Sequence, residues 1–428
     1  MNKLIIILAV SVFFSCSSSE KEAVKPRILI SSDIGGTDPD DNQSMIHFLM
    51  YSNMFQTEGL ISSPSYGEGS KEEILKMIDL YEKDLPKLKE HSDDFPTPKS
   101  LRAICKQGRK GGAPFVGYQT ATEGSDWIIK CARKESEQPL WVLVWGGLDD
   151  LAQALHDAPE IQHKIKVYWI GGPNKKWSTN SYAYIAANFP DLWFIEANAV
   201  YRGFFSNMDS PDSLRNEKYY ANFIDEAGYM GKAFKEYYGG RIKMGDTPSL
   251  LYVMNGNPLN PLTGSWGGSF QKFTHSPRTI FHRNTTLEDT VAVYSLIEFH
   301  FKAQDLNIPI DSACLVMSIG GQKWDGYHIG KGDYVVRYAP KKAETLTYEI
   351  SSEILGLSGQ KGQIVVSNVW PGKLSGDDYI LGENWYTDPS SPDLFDNGWQ
   401  GAKTVLKWRS DVLKDWAHRW EWLYESKN

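Results

Sequence analysis

Cysteine is scarce in this chain: four in 428 residues, none in a C-x-x-C pair. A disulfide scaffold and the common Cys-based zinc and redox motifs are therefore excluded. The nine histidines are scattered and no H-E-x-x-H occurs, which leaves a zinc hydrolase without its ligands. No Lys/Arg cluster is interleaved with aromatics and the formal net charge is −8, so nucleic acid is excluded as a partner. No internal repeat is seen. What is present is ordinary globular composition, 41% hydrophobic and 23% charged, enough to build a core. The length suggests roughly two or three domains. Aromatics are abundant, with 15 Trp and 22 Tyr, and they crowd the last third of the chain. Trp324, Tyr327, Trp370, Trp385, Tyr386 and Trp399 would suit a sugar-binding face or would pack the C-terminal module against the rest.

Lys3 and the apolar run Leu4 to Phe14, 11 residues long, are too short to span a bilayer and fit the core of a secretory signal. The run ends at Ser15-Cys16, ahead of SSSEKEAVKP. This resembles a bacterial lipoprotein signal, which implies cleavage before Cys16, lipidation of its thiol and a flexible tether; plain secretion is the alternative. The implied location is the bacterial cell envelope, with the membrane met only through that anchor, or the medium. A Cys105–Cys131 bridge is left open.

From Pro26 to about Phe205 short apolar strands alternate with helices: RILISS, EGLISS, LWVLVW, KIKVYWIGG and LWFIEAN are strands, and SMIHFLMYSN, KEEILKMIDLYEKDL, GSDWIIKCARK and GGLDDLAQALHDA carry helical spacing. Continuous apolar strands between helices predict an α/β fold with a mostly parallel sheet covered on both faces. Ligands in such folds sit beyond the carboxyl ends of the strands, and every one of these strands runs into a polar or Gly-rich turn there. After about residue 308, stretches such as ACLVMSIGGQKWDGYHIGKGDYVVRYA read as β-hairpins. The chain closes on GAKTVLKWRSDVLKDWAHRWEWLYE, which predicts one long helix with an aromatic stripe. The expected organisation is a signal and tether over 1–25, an α/β domain over 26–308, and a small β-rich module with a terminal helix over 309–428.

The stretch 33–41, DIGGTDPDD, has two candidate meanings. Asp-Ile-Gly-Gly-Thr matches the phosphate hairpin of sugar kinases, but that hairpin needs a second strand at once. Here Asp-Pro and Asp-Asp, both strand-breaking, lead into a helical pattern. The alternative is a metal cradle. Asp33 ends a strand, Asp40 and Asp41 begin a helix, and Gly35, Gly36 and Pro39 fold the loop back between them. Helix capping accounts for one or two aspartates, not for Asp33, Asp38, Asp40 and Asp41 together. A hard cation with many oxygen ligands, such as calcium, would relieve their repulsion.

The same stretch resembles the opening motif of calcium-dependent nucleoside hydrolases. GLISS (59–63), GGLDDL (146–151), IGG (170–172), EAN (196–198) and GDTPSLLY (245–252) resemble further family landmarks in the family's order. Within that superfamily the chain is most similar to the bacterial secreted branch described as cellulose-binding, nucleoside-hydrolase-like proteins with a C-terminal β-rich module. The resemblance covers residues 27 to about 305 well and implies a nucleoside-hydrolase-like, Rossmann-like core.

It also implies roles. Asp33, Asp41 and Asp246 would ligate Ca2+ by side chain and the carbonyl of Asp149 would add a ligand. Asp40 would be the general base that deprotonates a water held on the metal. Glu196 and Asn198 would hold sugar hydroxyls. Against this, Asp149 and Asp246 sit where each could simply cap a helix, and Glu196 and Asn198 where each could be a turn residue. Asp38, in a loop longer than the family's, could take over a ligand role. Ser31 stands where the family has another Asp, Gly245 where a His assists the leaving base, and Pro64, Ser65 and Tyr66 where an Asn meets the sugar. The metal half of the site is retained and the nucleobase half is not. Three functions follow: a calcium-dependent hydrolase of glycosidic bonds in a carbohydrate, a non-catalytic carbohydrate-binding lipoprotein, and an N-ribosyl hydrolase proper.

Overall fold

The computed structural model describes residues 24–205 and 214–424; the expected signal and the lipidation site Cys16 lie outside the described residues. Six parallel strands form the centre of the first sheet: β1 (Arg27–Ser32), β2 (Gln56–Ser62), β3 (Cys105–Gln107), β4 (Leu140–Val144), β5 (Ile165–Ile170) and β6 (Trp193–Ala197). They run in the order β3-β2-β1-β4-β5-β6. The chain winds outward one way from β1 and the other way from β4, so the crevice between their carboxyl ends is the topological switch point where such folds bind ligands.

Alternate residues of each strand serve different cores, as the period of two requires. Ile28, Ile30 and Leu143 face one cluster, which includes Met45, Ile78, Leu250, Trp416 and Trp420 from helices Asp40–Met50, Lys71–Lys89, Thr247–Met254 and Arg409–Glu421. Leu29, Val142 and Val144 face the other, with Ile128, Leu151 and Tyr182 from helices Glu123–Ala132, Asp149–Asp157 and Thr179–Asn188. The second cluster is shared with Phe299, Val336 and Tyr348 of a second sheet. That sheet has eight strands between Arg278 and Ser367, mostly antiparallel. Its strand Thr345–Ser351 alternates exposed and buried residues, one face wet and one packed.

The tail then returns to the first sheet. Trp385–Thr387 pairs parallel with β6, Trp385 opposite Phe194, and Gln271–Lys272 pairs antiparallel on its far side. The terminal segment is two helices, Lys403–Leu406 and Arg409–Glu421, not one. The first packs on the turn Val200–Phe204 and the second buries Trp416 and Trp420 on the first sheet's helical face, so different partners bend the chain between them. Trp370, Trp385 and Tyr386 are core residues, while Trp324 and Trp399 are half-buried. Cys105 and Cys131 are both buried and unbridged.

Candidate active site

The aspartates are assembled by β1 and by a long-range staple. Asp33 follows β1 directly, and the Gly36 amide donates to its carbonyl at 3.0 Å, turning the chain back toward helix Asp40–Met50. Asp40 and Asp41 form the first turn of that helix, where the dipole favours negative charge. The Ser32 hydroxyl donates to Asp41 Oδ1 and accepts from the Ile34 amide, fixing Asp41 over the strand end. One turn on, Gln43 Nε2 donates to the Arg241 carbonyl at 2.8 Å, and Gln43 Oε1 accepts from the amides of Lys243 at 2.8 Å and Met244 at 3.2 Å. Gln43 thereby brings in the segment that carries Lys243 and Asp246.

Oxygens of Asp40, Asp41 and Asp246 lie within 4.8 Å of one another. Asp246 precedes helix Thr247–Met254, but its side chain makes no cap hydrogen bond, and Oδ2 is buried without a partner. A buried carboxylate oxygen left unpaired costs about 1–3 kcal/mol or more unless an ion or proton satisfies it. Asp33 borders the same cleft beside Asp41. Burial raises all four carboxyl groups, helped by repulsion from neighbouring aspartates: Asp33 to about 6, Asp40 to about 8, and Asp41 and Asp246 well above the ordinary carboxylate range. The donor set is all hard oxygen and electrostatically frustrated, which fits a hard divalent cation.

Two glycines permit this crowding. A Cβ on Gly146, just past β4, would lie 2.6 Å from Asp33 Cβ, and one on Gly245 would lie 2.3 Å from Asp40 Oδ2. A side chain at 245 would force the Asp40 carboxylate to move from this position.

The side chains of the other expected residues are engaged differently. Asp38 is on the exposed rim, ion-paired with Lys243, whose ammonium is also 3.6 Å from Asp40 Oδ2. Asp149 turns its side chain away from the cluster: Oδ1 accepts from the Ala113 amide at 2.7 Å and Ser181 Oγ at 3.0 Å, and Oδ2 from Ser178 Oγ at 3.3 Å. Glu196 and Asn198 are fully buried and do not border the cleft. Glu196 accepts from Lys175 Nζ at 2.7 Å, Tyr182 OH at 2.6 Å and Asn198 Nδ2 at 2.9 Å, while Asn198 Oδ1 accepts from the Gly172 amide at 2.8 Å. Together they brace the turn after β5.

Sequence reasoning missed several lining residues. The cleft, about 280 Å³, is closed by Tyr66, Trp177, Tyr201, Arg202, Lys243 and Lys341 as well as the aspartates. Lys243 stands three residues before Asp246, a proximity that could have flagged it; Arg202 and Lys341 carry no local signal. Tyr201 and Arg202 are placed by the tail of the chain. Asp388, one residue past Trp385–Thr387, accepts from the amides of Asn198, Ala199 and Val200 at 2.9–3.2 Å, and Arg202 lies 3.8 Å over the Trp399 ring. Asp388→Ala should strand these amides, each worth about 1–3 kcal/mol where water cannot enter. Urea unfolding should show a loss of at least that size; an unchanged midpoint would mean the tail does not hold this wall.

Residues 27–270, more than half of the chain, match the family described as cellulose-binding Sde182, nucleoside hydrolase-like domain, and the chain belongs to that family. Residues 290–353 match a domain of unknown function, DUF5060. Among solved structures it is similar to a nucleoside hydrolase-related hypothetical protein from Saccharophagus degradans that is associated with carbohydrate metabolism. The two share 20% identity over 81% of this chain and 100% of that one, with a TM-score of 0.49. It is similar to the inosine-uridine preferring nucleoside hydrolase from Bacillus anthracis at 18% identity, 60% and 87% coverage and TM-score 0.37. It is also similar to an inosine-guanosine nucleoside hydrolase at 12% identity, 59% and 82% coverage and TM-score 0.36. No curated protein matches.

Proposed function

We propose that this chain hydrolyses a glycosidic bond of a carbohydrate bound at the switch-point cleft, with calcium held by Asp33, Asp41 and Asp246 and with Asp40 as proton acceptor. The observation that carries the reading is the convergence of the Asp40, Asp41 and Asp246 oxygens, with Asp246 Oδ2 buried and unpartnered. Calcium would supply a fixed positive charge and a Lewis acid for oxygen ligands. The chain's own residues do the rest. Asp40 Oδ takes the proton of the attacking water, and the Lys243 ammonium 3.6 Å away favours its ionised form. The remaining carboxylates stabilise positive charge that develops on the sugar ring. Trp177 and Tyr66, ring centres 5.0 Å apart, close one side of the cleft and offer apolar faces to a pyranose. The anchor expected at Cys16 would hold this cleft at the cell envelope, where polysaccharide is met before nucleoside.

One observation favours a second reading, a binding protein without turnover. The Lys243 ammonium already occupies the space beside Asp38 and Asp40 and could neutralise the base permanently. A screen of plant and bacterial glycans and of nucleosides, with calcium and with chelator, separates the readings. Calcium-dependent release of reducing ends supports the hydrolase, calcium-dependent binding without release supports the binder, and free base released from nucleosides would overturn both.

The cluster also predicts a pH dependence. Asp33 and Asp40 have folded-state values of about 6 and about 8, above the ordinary carboxyl value of roughly 4. The folded chain thus holds more protons than the unfolded one in between. The stability these groups contribute is complete below about pH 4 and is lost as pH rises through about 6 and 8. In chelator, the melting temperature should therefore lose ground between pH 5 and 8, and calcium should restore most of that loss at pH 8 and little at pH 5. Identical profiles with calcium and with chelator would contradict the assignment.

A further inference from the structure

Resting on the carbohydrate reading of the cleft, we infer that its ligand carries an anionic substituent, a sugar carboxylate or sulfate, received by Arg202 and Lys341.

Three cations border the cleft, and they are differently engaged. Lys243 is committed to Asp38 and Asp40. Arg202 and Lys341 make no ion pair among the described residues, although five aspartates border the same space. Arg202 lies 3.8 Å over the Trp399 ring and 5.4 Å from that of Tyr201, and its Nε is buried without a hydrogen-bond partner. A guanidinium over an aromatic ring can still offer terminal N–H groups to a planar or tetrahedral anion. Lys341 arrives from the second sheet, after strand Asp333–Tyr338, and lies 5.8 Å from the Trp177 ring. Trp177 in turn meets Tyr66, which is 48% exposed at the mouth.

A pyranose stacked on Tyr66 and Trp177 would thus meet both the carboxylates and two cations that make no ion pair among the described residues. A neutral glycan gives the half-buried Arg202 guanidinium and Lys341 nothing charged to bind. An acidic one satisfies both and leaves its hydroxyls for the aspartate side. The second sheet thereby gains a role at the site, because it delivers Lys341.

The test is calorimetry on the calcium-loaded chain with three ligands of one skeleton: cellobiose, its glucuronyl counterpart and its 6-sulfate. The acidic ligands should bind roughly tenfold to a hundredfold tighter than cellobiose, the range expected for hydrogen bonds to charged groups. Their advantage should shrink with added salt. Arg202→Gln and Lys341→Gln should each remove most of the advantage of the acidic ligands over cellobiose measured on the same variant, and Arg202→Lys should keep part of it. A larger loss for glucuronate than for sulfate would identify a carboxylate site, and the reverse a sulfate site. Equal binding of acidic and neutral ligands, or a preference that survives both Gln variants, would overturn the inference and leave the carbohydrate reading standing. No binding by any of the three would overturn both.

Discussion

Asp40→Asn should abolish turnover of whatever saccharide the cleft cleaves, by about 10²–10⁴-fold in kcat, the usual worth of a positioned general base. Substrate affinity should change little. The substitution keeps the shape of the side chain and removes its capacity to accept a proton. It also deprives Lys243 of one partner, but Lys243 keeps Asp38, so the helix start should survive. A steady-state assay paired with calorimetry reads both quantities. Loss of turnover with binding retained is expected. Unchanged turnover would remove Asp40 from the chemistry, and joint loss of binding and turnover would make it a ligand or a structural residue. If the wild type has no turnover, the pair of measurements still identifies the binder, because both proteins then bind alike.

The largest stability effect should come from Lys175. It is fully buried, donates to Glu196 at 2.7 Å, and lies 3.7 Å over the ring of Tyr182 and 4.7 Å over that of Trp370. Burial lowers its pKa to about 8, against the pull of Glu196. Lys175→Met leaves the Glu196 carboxylate buried without its counter-charge, which costs about 3–5 kcal/mol. Adding Glu196→Gln removes that charge and should recover a large part of the loss. Urea unfolding of the two variants measures this directly. A single-variant cost under about 1 kcal/mol, or no recovery in the double variant, would contradict the account of Glu196 as a brace. It would also revive Glu196 as a residue free to meet ligand.

The parts of this protein that are legible in the sequence are those whose physics is local. β1, β2, β4, β5 and β6 announce themselves as continuous apolar runs because both faces of a parallel sheet are covered, whereas β3, the three residues Cys-Lys-Gln at the sheet edge, carries no such run and was missed. Asp33, Asp40, Asp41 and Asp246 stand at strand ends or helix starts, where a parallel sheet gathers its ligands, and the structure brings them to one cleft. Glu196 and Asn198 occupy equally suggestive local positions, yet their side chains are turned elsewhere by partners that no local pattern reveals, Lys175 and Tyr182 for Glu196; at Asp149, expected to act through its carbonyl, the side chain is held by Ala113 and Ser181. The strand Trp385–Thr387 is three residues long and pairs with β6, from which the whole second sheet separates it in sequence, so its place had no signature. For the same reason Arg202 and Trp399, close in space through that return of the chain, could not be paired from sequence.

The most direct test of the carboxylate cradle is a calcium titration by calorimetry at pH 7.5 on the wild type and on Asp33→Ala/Asp41→Ala, repeated in two buffers of different ionisation enthalpy. One calcium per chain should bind to the wild type, with protons released because the ion displaces them from raised carboxyl groups, and binding should vanish in the double variant. No binding by the wild type, or binding that the double variant retains, would contradict the cradle and with it the hydrolytic mechanism built on it.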